Sequence, residues 1–266
     1  MRYFISFLLL TLSLNAGVYY AKVEPYEVYN IKSSASGSVT FVYGEAEGRI
    51  SKGGVLIQID DYLNQKELKS SLKKLEVQKR SFELIKKNLE NAKKIEKIRK
   101  DSFDRIKDLK TKSKLSKDLE LINYLNASNQ VISLENSLQN LEISMSDLRY
   151  KIALLKDTID KKKVKMEKGY LIYKVYVNDG DYVNIGTPLV DAYDITKAKL
   201  VIFLSIEDVK IAKDAKIYIN DKATKYKIDK MWSVADTQNI SSYRAEIIVD
   251  APKYFSKLYK IELKAK

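Results

Sequence analysis

The stretch RIKDLKTKSKLS, residues 105–116, separates two long segments whose apolar residues repeat at helical spacing. Its only large apolar residues are Ile106, Leu109 and Leu115, and four lysines lie among them. So polar an interval between two periodic segments is typical of an exposed connection. It predicts a turn near residues 110–115, at which the chain reverses direction.

The segment before this turn has apolar residues at three-four spacing. They are Leu68, Leu72, Leu75, Phe82, Ile85, Leu89 and Ala92, and the pattern continues less regularly to Leu109. No glycine or proline occurs from residue 62 to residue 168, a window of more than a hundred residues. Because both residue types disfavour helix interiors, their absence predicts helix over 62–167, interrupted only at the turn.

The segment after the turn carries a heptad pattern. Its members, spaced alternately by four and three, are Leu134, Leu138, Leu141, Met145, Leu148, Ile152, Leu155 and Ile159. A narrow apolar stripe on each segment predicts an antiparallel coiled-coil hairpin with arms ~70 Å long. A single long helix that dimerises in parallel is the alternative, and the polar break favours the hairpin.

Two similar β segments, residues 36–60 and 168–194, flank the predicted hairpin. The shared glycines are Gly37, Gly48 and Gly53 in the first copy and Gly169, Gly180 and Gly186 in the second. Each copy alone has too little apolar surface to fold. We therefore expect the two copies to close into one small antiparallel sandwich, from one end of which the helices project. Residues 198–266 alternate apolar and polar side chains and predict several further strands.

Composition excludes several classes of function. The chain has no cysteine and no histidine, which rules out the usual zinc sites, thiol nucleophiles and imidazole bases. No cluster of acids, bases or nucleophiles emerges, so we expect neither an enzyme nor a cofactor or metal site. Of the net charge of +13, residues 66–117 carry +11. We interpret these lysines as a solvated helix face and expect no nucleic-acid partner.

The first sixteen residues have the pattern of a secretory signal peptide. Arg2 precedes a twelve-residue apolar stretch, and cleavage is expected after Ala16. The stretch is short for a membrane span, which takes ~20 residues. We expect the mature protein in the periplasm. An uncleaved signal that anchors it to the inner membrane is the alternative.

In its order of segments the chain resembles the periplasmic adaptors, also called membrane fusion proteins or the HlyD family. The resemblance implies an α+β fold in which a long coiled-coil hairpin is inserted in a split lipoyl-like β-sandwich and followed by a β-barrel-like domain. The predicted domains are 1–16, the signal; 26–61 and 168–195, the lipoyl-like halves; 62–167, the hairpin; and 196–266, the barrel-like domain. We expect the membrane-proximal domain of many adaptors to be absent or rudimentary.

The resemblance also assigns a docking site. In the family, an arginine, a leucine four residues on and a serine seven residues later lie at the hairpin tip and engage a TolC-like outer-membrane channel. Arg105, Leu109 and Ser116 have this spacing. Ser116 has an alternative role as the cap of the second helix, and Arg105 as a partner of Asp101 or Asp108.

The implied function is non-catalytic bridging of an inner-membrane exporter, of RND or ABC type, and a TolC-like channel, by a homo-oligomeric ring of adaptors. A free-standing exported coiled-coil protein that binds a surface or polymer is the alternative. A lipoate or biotin carrier is disfavoured, because Lys174 lacks the flanking residues of a modified lysine and no lysine lies between Gly37 and Gly48.

Overall fold

The computed structural model describes residues 17–236, 239 and 241–264. The predicted signal peptide, residues 1–16, lies outside them. The chain divides into two compact units. The helical unit is Ile59–Lys163, and the β unit comprises the described residues up to Gln58 and those from Val164 onward.

Two long helices make up the helical unit. Helix α1 is Tyr62–Ile106 and helix α2 is Lys114–Lys161. Cross-helix contacts pair early residues of α1 with late residues of α2, so the helices run in opposite directions. Lys151 Nζ lies 2.7 Å from Glu67, Gln78 donates to Ser144 at 2.9 Å, and Lys93 Nζ lies 2.7 Å from Glu135.

The predicted heptad residues of α2 face α1. Val131, Met145, Ile152 and Leu155 are buried, and the other members of the stripe are half-buried. Most residues between them are exposed, as expected for a helix that buries one narrow face. Because surface ion pairs contribute little, this apolar seam holds the pair together.

The β unit is a single antiparallel sheet with a short helix. Its strands are β1 Gly17–Lys32, β2 Gly37–Val42, β3 Ile50–Ile59, β4 Lys163–Val175, β5 Tyr182–Val183, β6 Pro188–Leu204, β7 Lys216–Ile219, β8 Lys222–Ala223, β9 Ile228–Met231, β10 Tyr243–Asp250 and β11 Leu258–Lys264; helix α3 is Ile206–Ala212. The order is β5-β2-β3-β4-β6-β1-β11-β7-β8, and β10 pairs with β6 and β9. The predicted mixed helix-and-sheet class is confirmed.

Strand β1 changes partner along its length. Gly17–Lys22 pairs with β11, and the strand from Val23 to Lys32 pairs with β6. The buried side chains Ala21 and Val23 join an apolar core, together with residues of β6, β7, β10 and β11 such as Leu200 and Ile261. The N-terminal strand thus completes a core that the sequence suggested for residues 196–266 alone.

Some element boundaries differ from the predicted ones. Helix α2 ends at Lys161 instead of 167, because Val164 and Met166 alternate with polar residues and enter strand β4 as buried side chains. The predicted boundary at 195/196 falls inside β6. This strand continues because buried residues recur at every second position from Ala198 to Leu204.

Candidate docking site at the helical turn

The turn between the long helices comprises residues 107–113. At its start Lys107 donates its backbone N–H to the carbonyl of Phe103, and Leu109 donates to the carbonyl of Ile106 at 3.2 Å. Lys112 in turn donates to the carbonyl of Leu109 at 3.4 Å. Two of these local bonds satisfy the Phe103 and Ile106 carbonyls at the end of α1, and no glycine is needed there.

The structure places the predicted residues Arg105, Leu109 and Ser116 at this one end of the helical unit. Arg105 lies in the last turn of α1, Leu109 within the turn, and Ser116 in the first turn of α2. Arg105 and Leu109 are exposed and Ser116 is half-buried. They form a polar surface with one apolar side chain.

Arg105 keeps most of its hydrogen-bonding capacity. Its guanidinium donates to the Ser102 hydroxyl at 3.2 Å. Within the described residues it forms no ion pair with Asp101 or Asp108, the partners considered from the sequence. Lys107 pairs with Asp104 instead, at 2.9 Å, and this hydrogen bond raises the pKa of Lys107. Because guanidinium has five N–H donors, Arg105 can still bind a carboxylate or backbone carbonyls of a partner.

The capping role considered for Ser116 belongs to Ser113. Ser113 is the N-cap of α2, with extended backbone, and its hydroxyl accepts from the backbone N–H of Ser116 at 3.2 Å. The role requires a residue just outside the helix, and Ser116 already lies inside its first turn. Ser113 was missed because its lysine-rich surroundings gave no start signal before Leu115. The serine itself, three residues before Ser116, was the available signal.

The six repeat glycines lie in the β unit, far along the chain from the turn. All have positive φ angles. At Gly53, the φ of +89° favours glycine because other residues would be strained there, and an added Cβ would also lie 3.1 Å from the Lys168 side chain, which would have to shift. Gly48 donates to the carbonyl of Ile172 at 2.8 Å, and Gly180 to that of Val39 at 2.9 Å. These bonds join the two repeat copies to each other.

Sites of other kinds are not found in the part of the chain that the structure describes. No group of three histidine, cysteine or acidic side chains is arranged to hold a metal ion. None of the helices there combines the length and the apolar character that crossing a membrane requires.

No protein-family model matches the chain, and no curated protein matches it significantly. Solved structures do match. The membrane fusion protein Spr0693 from Streptococcus pneumoniae R6 is similar with a TM-score of 0.68 and 12% identity, over 94% of this chain and 99% of that one. MacA from Actinobacillus actinomycetemcomitans is similar with a TM-score of 0.56 and 17% identity, over 94% and 78%.

A chimera of MacA with the alpha-hairpin domain of Pseudomonas aeruginosa MexA is also similar. Its TM-score is 0.55 at 17% identity, over 94% of this chain and 81% of that one. These neighbours are membrane fusion proteins, and the chain has their fold. The resemblance inferred from the glycine repeat and the helical insertion is therefore confirmed at the level of fold.

Proposed function

We propose that this protein is the adaptor subunit of an export system that crosses the cell envelope. Exported to the periplasm by its N-terminal signal, it bridges an inner-membrane exporter of RND or ABC type and a TolC-like outer-membrane channel. It performs no chemistry. Its contribution is to position and seal the two partners.

The observation that carries this proposal is the fold shared with the membrane fusion protein Spr0693 over 94% of the chain, in which both units take part. Within that fold, residues 26–61 and 168–195 serve as halves of a lipoyl-like scaffold, and residues 196–266 as the barrel-like domain. The helical pair between the halves is a coiled-coil hairpin. Its two helices of 45 and 48 residues are each ~70 Å long, which suits a spacer between membranes.

The turn supplies the contact with the channel. Arg105 donates to carboxylate or carbonyl groups of the channel, and such charge-assisted bonds are strong and directional. Leu109, whose side chain is 45% exposed, inserts as an apolar anchor between channel helices. Ser116 adds a hydroxyl beside them. Neighbouring lysines favour an acidic channel rim and increase the association rate.

The adaptor acts as a ring of identical chains, and the outer faces of its helices support this. On α2, Leu125, Ile132, Ile143, Tyr150 and Leu154 are exposed and share the face opposite the seam. On α1, Val77, Leu84 and Ile98 do the same. We refer to these sets as the α2 outer stripe and the α1 outer stripe.

The charges beside the two outer stripes are complementary. Residues 77–106 contain ten basic and five acidic residues, net +5. Residues 118–148 contain five acidic residues and no lysine or arginine, net −5. An α2 outer stripe packed on the α1 outer stripe of the next chain would match opposite charges, and such a head-to-tail interface closes into rings.

Photo-crosslinking from the turn tests the docking role. A photoreactive residue replaces Thr111, and crosslinked products from intact cells are identified by mass spectrometry. We expect a TolC-like channel as the main product. Arg105→Asp and Leu109→Asp should reduce that product about tenfold or more, because each removes a side chain that contacts the channel directly.

Matched controls separate docking from a general effect of charge. Leu115→Asp makes the same substitution as Leu109→Asp, at another exposed leucine of the same end. Arg99→Asp makes the same substitution as Arg105→Asp, at an exposed arginine one to two turns earlier on α1. Both should leave the product within about twofold. Equal losses in all four variants, or a main product that is not an outer-membrane channel, would refute the docking role and favour a free-standing binding protein.

A further inference from the structure

A cavity of about 410 Å³ opens in the β unit, where strand β1 changes partner. Lys22 is the last residue of β1 paired with β11, and Val23 the first paired with β6. The sheet divides at this point, and the divergence of the neighbouring strands leaves a recess. Its volume lies within the range of small-molecule sites, roughly 300–1,000 Å³.

Three adjacent strands form the floor of the recess. Val28 of β1, Tyr193 of β6 and Leu171 of β4 stand side by side in register. The ring of Tyr173 stacks on that of Tyr193 with centroids 4.6 Å apart and planes inclined by 16°. Val28 is 51% exposed and Tyr173 is 55% exposed, so apolar surface remains open where the sheet would ordinarily be covered.

The segment between β10 and β11 forms a wall that is fixed in place. Ser256 donates to the carbonyl of Val23, and Val23 donates to the carbonyl of Lys257, both at 2.8 Å. Ser256 has a φ of +65°, a conformation that a non-glycine residue adopts only when its surroundings hold it. Beside it the half-buried ring of Phe255 faces the recess. The recess is therefore pre-formed.

The lining of the recess carries no net charge and offers a few polar groups. Lys22 and Glu24 bring one charge of each sign. The hydroxyl groups of Tyr173 and Tyr193 make no hydrogen bond within the described residues and remain available to a ligand. Burial raises the pKa of Tyr193, so its phenol is a neutral hydrogen-bond donor and acceptor at pH 7.

We propose that this recess binds one neutral, planar aromatic molecule, which extends the Tyr173–Tyr193 stack and contacts Val28 and Phe255. Stacked aromatic pairs are favoured beyond the area that they bury, and a flat ligand matches the exposed ring face. A charged ligand would lose hydration and meet charges of both signs, Lys22 and Glu24, so the lining offers it no net counter-charge. The site lies in the β unit and does not depend on the proposed docking at the turn.

Fluorescence titration of the purified full chain with N-phenylnaphthylamine, a neutral aromatic probe, tests the site. We expect saturable binding of one probe per chain. Val28→Arg should weaken binding about tenfold or more, since it places a charged chain across the floor. Val18→Arg is the matched control: the two valines lie on the same strand and are 49% and 51% exposed, and Val18 does not line the recess.

Tyr173→Ala provides a second test that removes the ring without adding charge. It should weaken binding several-fold, whereas Tyr20→Ala, at an exposed tyrosine of β1 outside the recess, should not. Circular dichroism establishes that each variant is folded. The proposal is overturned if the wild-type chain binds no probe saturably, or if recess and control variants lose affinity equally.

Discussion

At the scale of single residues, Ser113 and Ser116 have different duties although only three positions separate them. Ser113 precedes α2, and its hydroxyl accepts the backbone N–H of Ser116. Ser116 contributes that N–H, and its own hydroxyl is available at the turn. A cap satisfies a helix N–H that would otherwise lack a partner, so its loss is felt in stability.

Replacing each serine by alanine in turn distinguishes a role in stability from a role in docking. Ser113→Ala should lower the free energy of unfolding by about 1 kcal/mol, the usual value of an N-cap serine. Ser116→Ala should change it by less than about 0.5 kcal/mol, as surface substitutions do. Urea unfolding followed by far-ultraviolet circular dichroism measures both. If Ser116→Ala were the more destabilising variant, Ser116 would hold the helix start and its assignment to docking would lose its basis.

The sequence placed the turn but could not distinguish these serines. Both precede apolar positions and both have lysines nearby: Ser113 lies between two lysines, and Ser116 is followed by one. The choice depends on which backbone N–H groups lack carbonyl partners, and this follows from where the helix starts. Arg105 illustrates the same limit, since Asp101 and Asp108 were plausible partners by spacing, yet its hydrogen bond goes to Ser102.

At the scale of elements, the seam of α2 was predictable because few residues decide it. The alternation of four and three in its leucines and isoleucines places them on one side of a helix, and that side is buried against α1. The outer stripe was less evident. Most of its members are seven or eleven residues apart, with asparagine, glutamine and serine between them, so a search for the densest apolar stripe does not detect it.

Ile152 and Ile143 allow the two faces of α2 to be compared with one substitution. Ile152 is 7% exposed in the seam, and Ile143 is 56% exposed in the outer stripe. Ile152→Ala should lower the free energy of unfolding by about 2–4 kcal/mol, because it removes buried methyl groups and leaves a cavity. Ile143→Ala should stay within about 0.5 kcal/mol in dilute, monomeric protein.

Thermal and urea unfolding at low concentration provide this comparison. If both variants lost a similar amount of unfolding free energy, α1 would not pack specifically against the predicted seam of α2. A small loss at Ile152 alone would mean that the seam is loosely packed.

The strands show what local patterns leave out. The alternation in residues 17–22 is compatible with a strand, but only its partner β11, more than two hundred residues away, makes it one. Likewise β6 crosses the predicted boundary at 195/196 because β1 pairs along it on both sides. Which distant strands pair depends on the whole sheet, so local sequence patterns do not predict it.

At the scale of the whole molecule, the uneven distribution of charge favours attraction between the two long helices, both within one chain and between chains. The net charge of +13 resides mainly in α1 and the turn, whereas residues 118–148 contain five acidic residues and no basic ones. Within one chain the two helices attract each other along the seam. Their outer stripes face away from it, and each carries the charge that complements the other, so the same attraction is available between chains.

A head-to-tail interface makes a prediction that a symmetric one does not. Ile132→Asp with Ile143→Asp damages the α2 outer stripe and leaves the α1 stripe intact. Leu84→Asp with Ile98→Asp does the reverse. Each double variant alone should remain monomeric at concentrations where the wild-type chain assembles, because every contact in such a ring needs one stripe of each kind.

Mixed in equal amounts, the two variants should form a one-to-one dimer, since the intact α2 outer stripe of one fits the intact α1 outer stripe of the other. Light scattering coupled to size-exclusion chromatography distinguishes monomer, dimer and larger assemblies directly. An interface between two α2 stripes would instead let the α1-damaged variant dimerise alone and would give no new species on mixing. Either of those results would exclude the head-to-tail ring, whereas a dimer that appears only in the mixture requires two different faces.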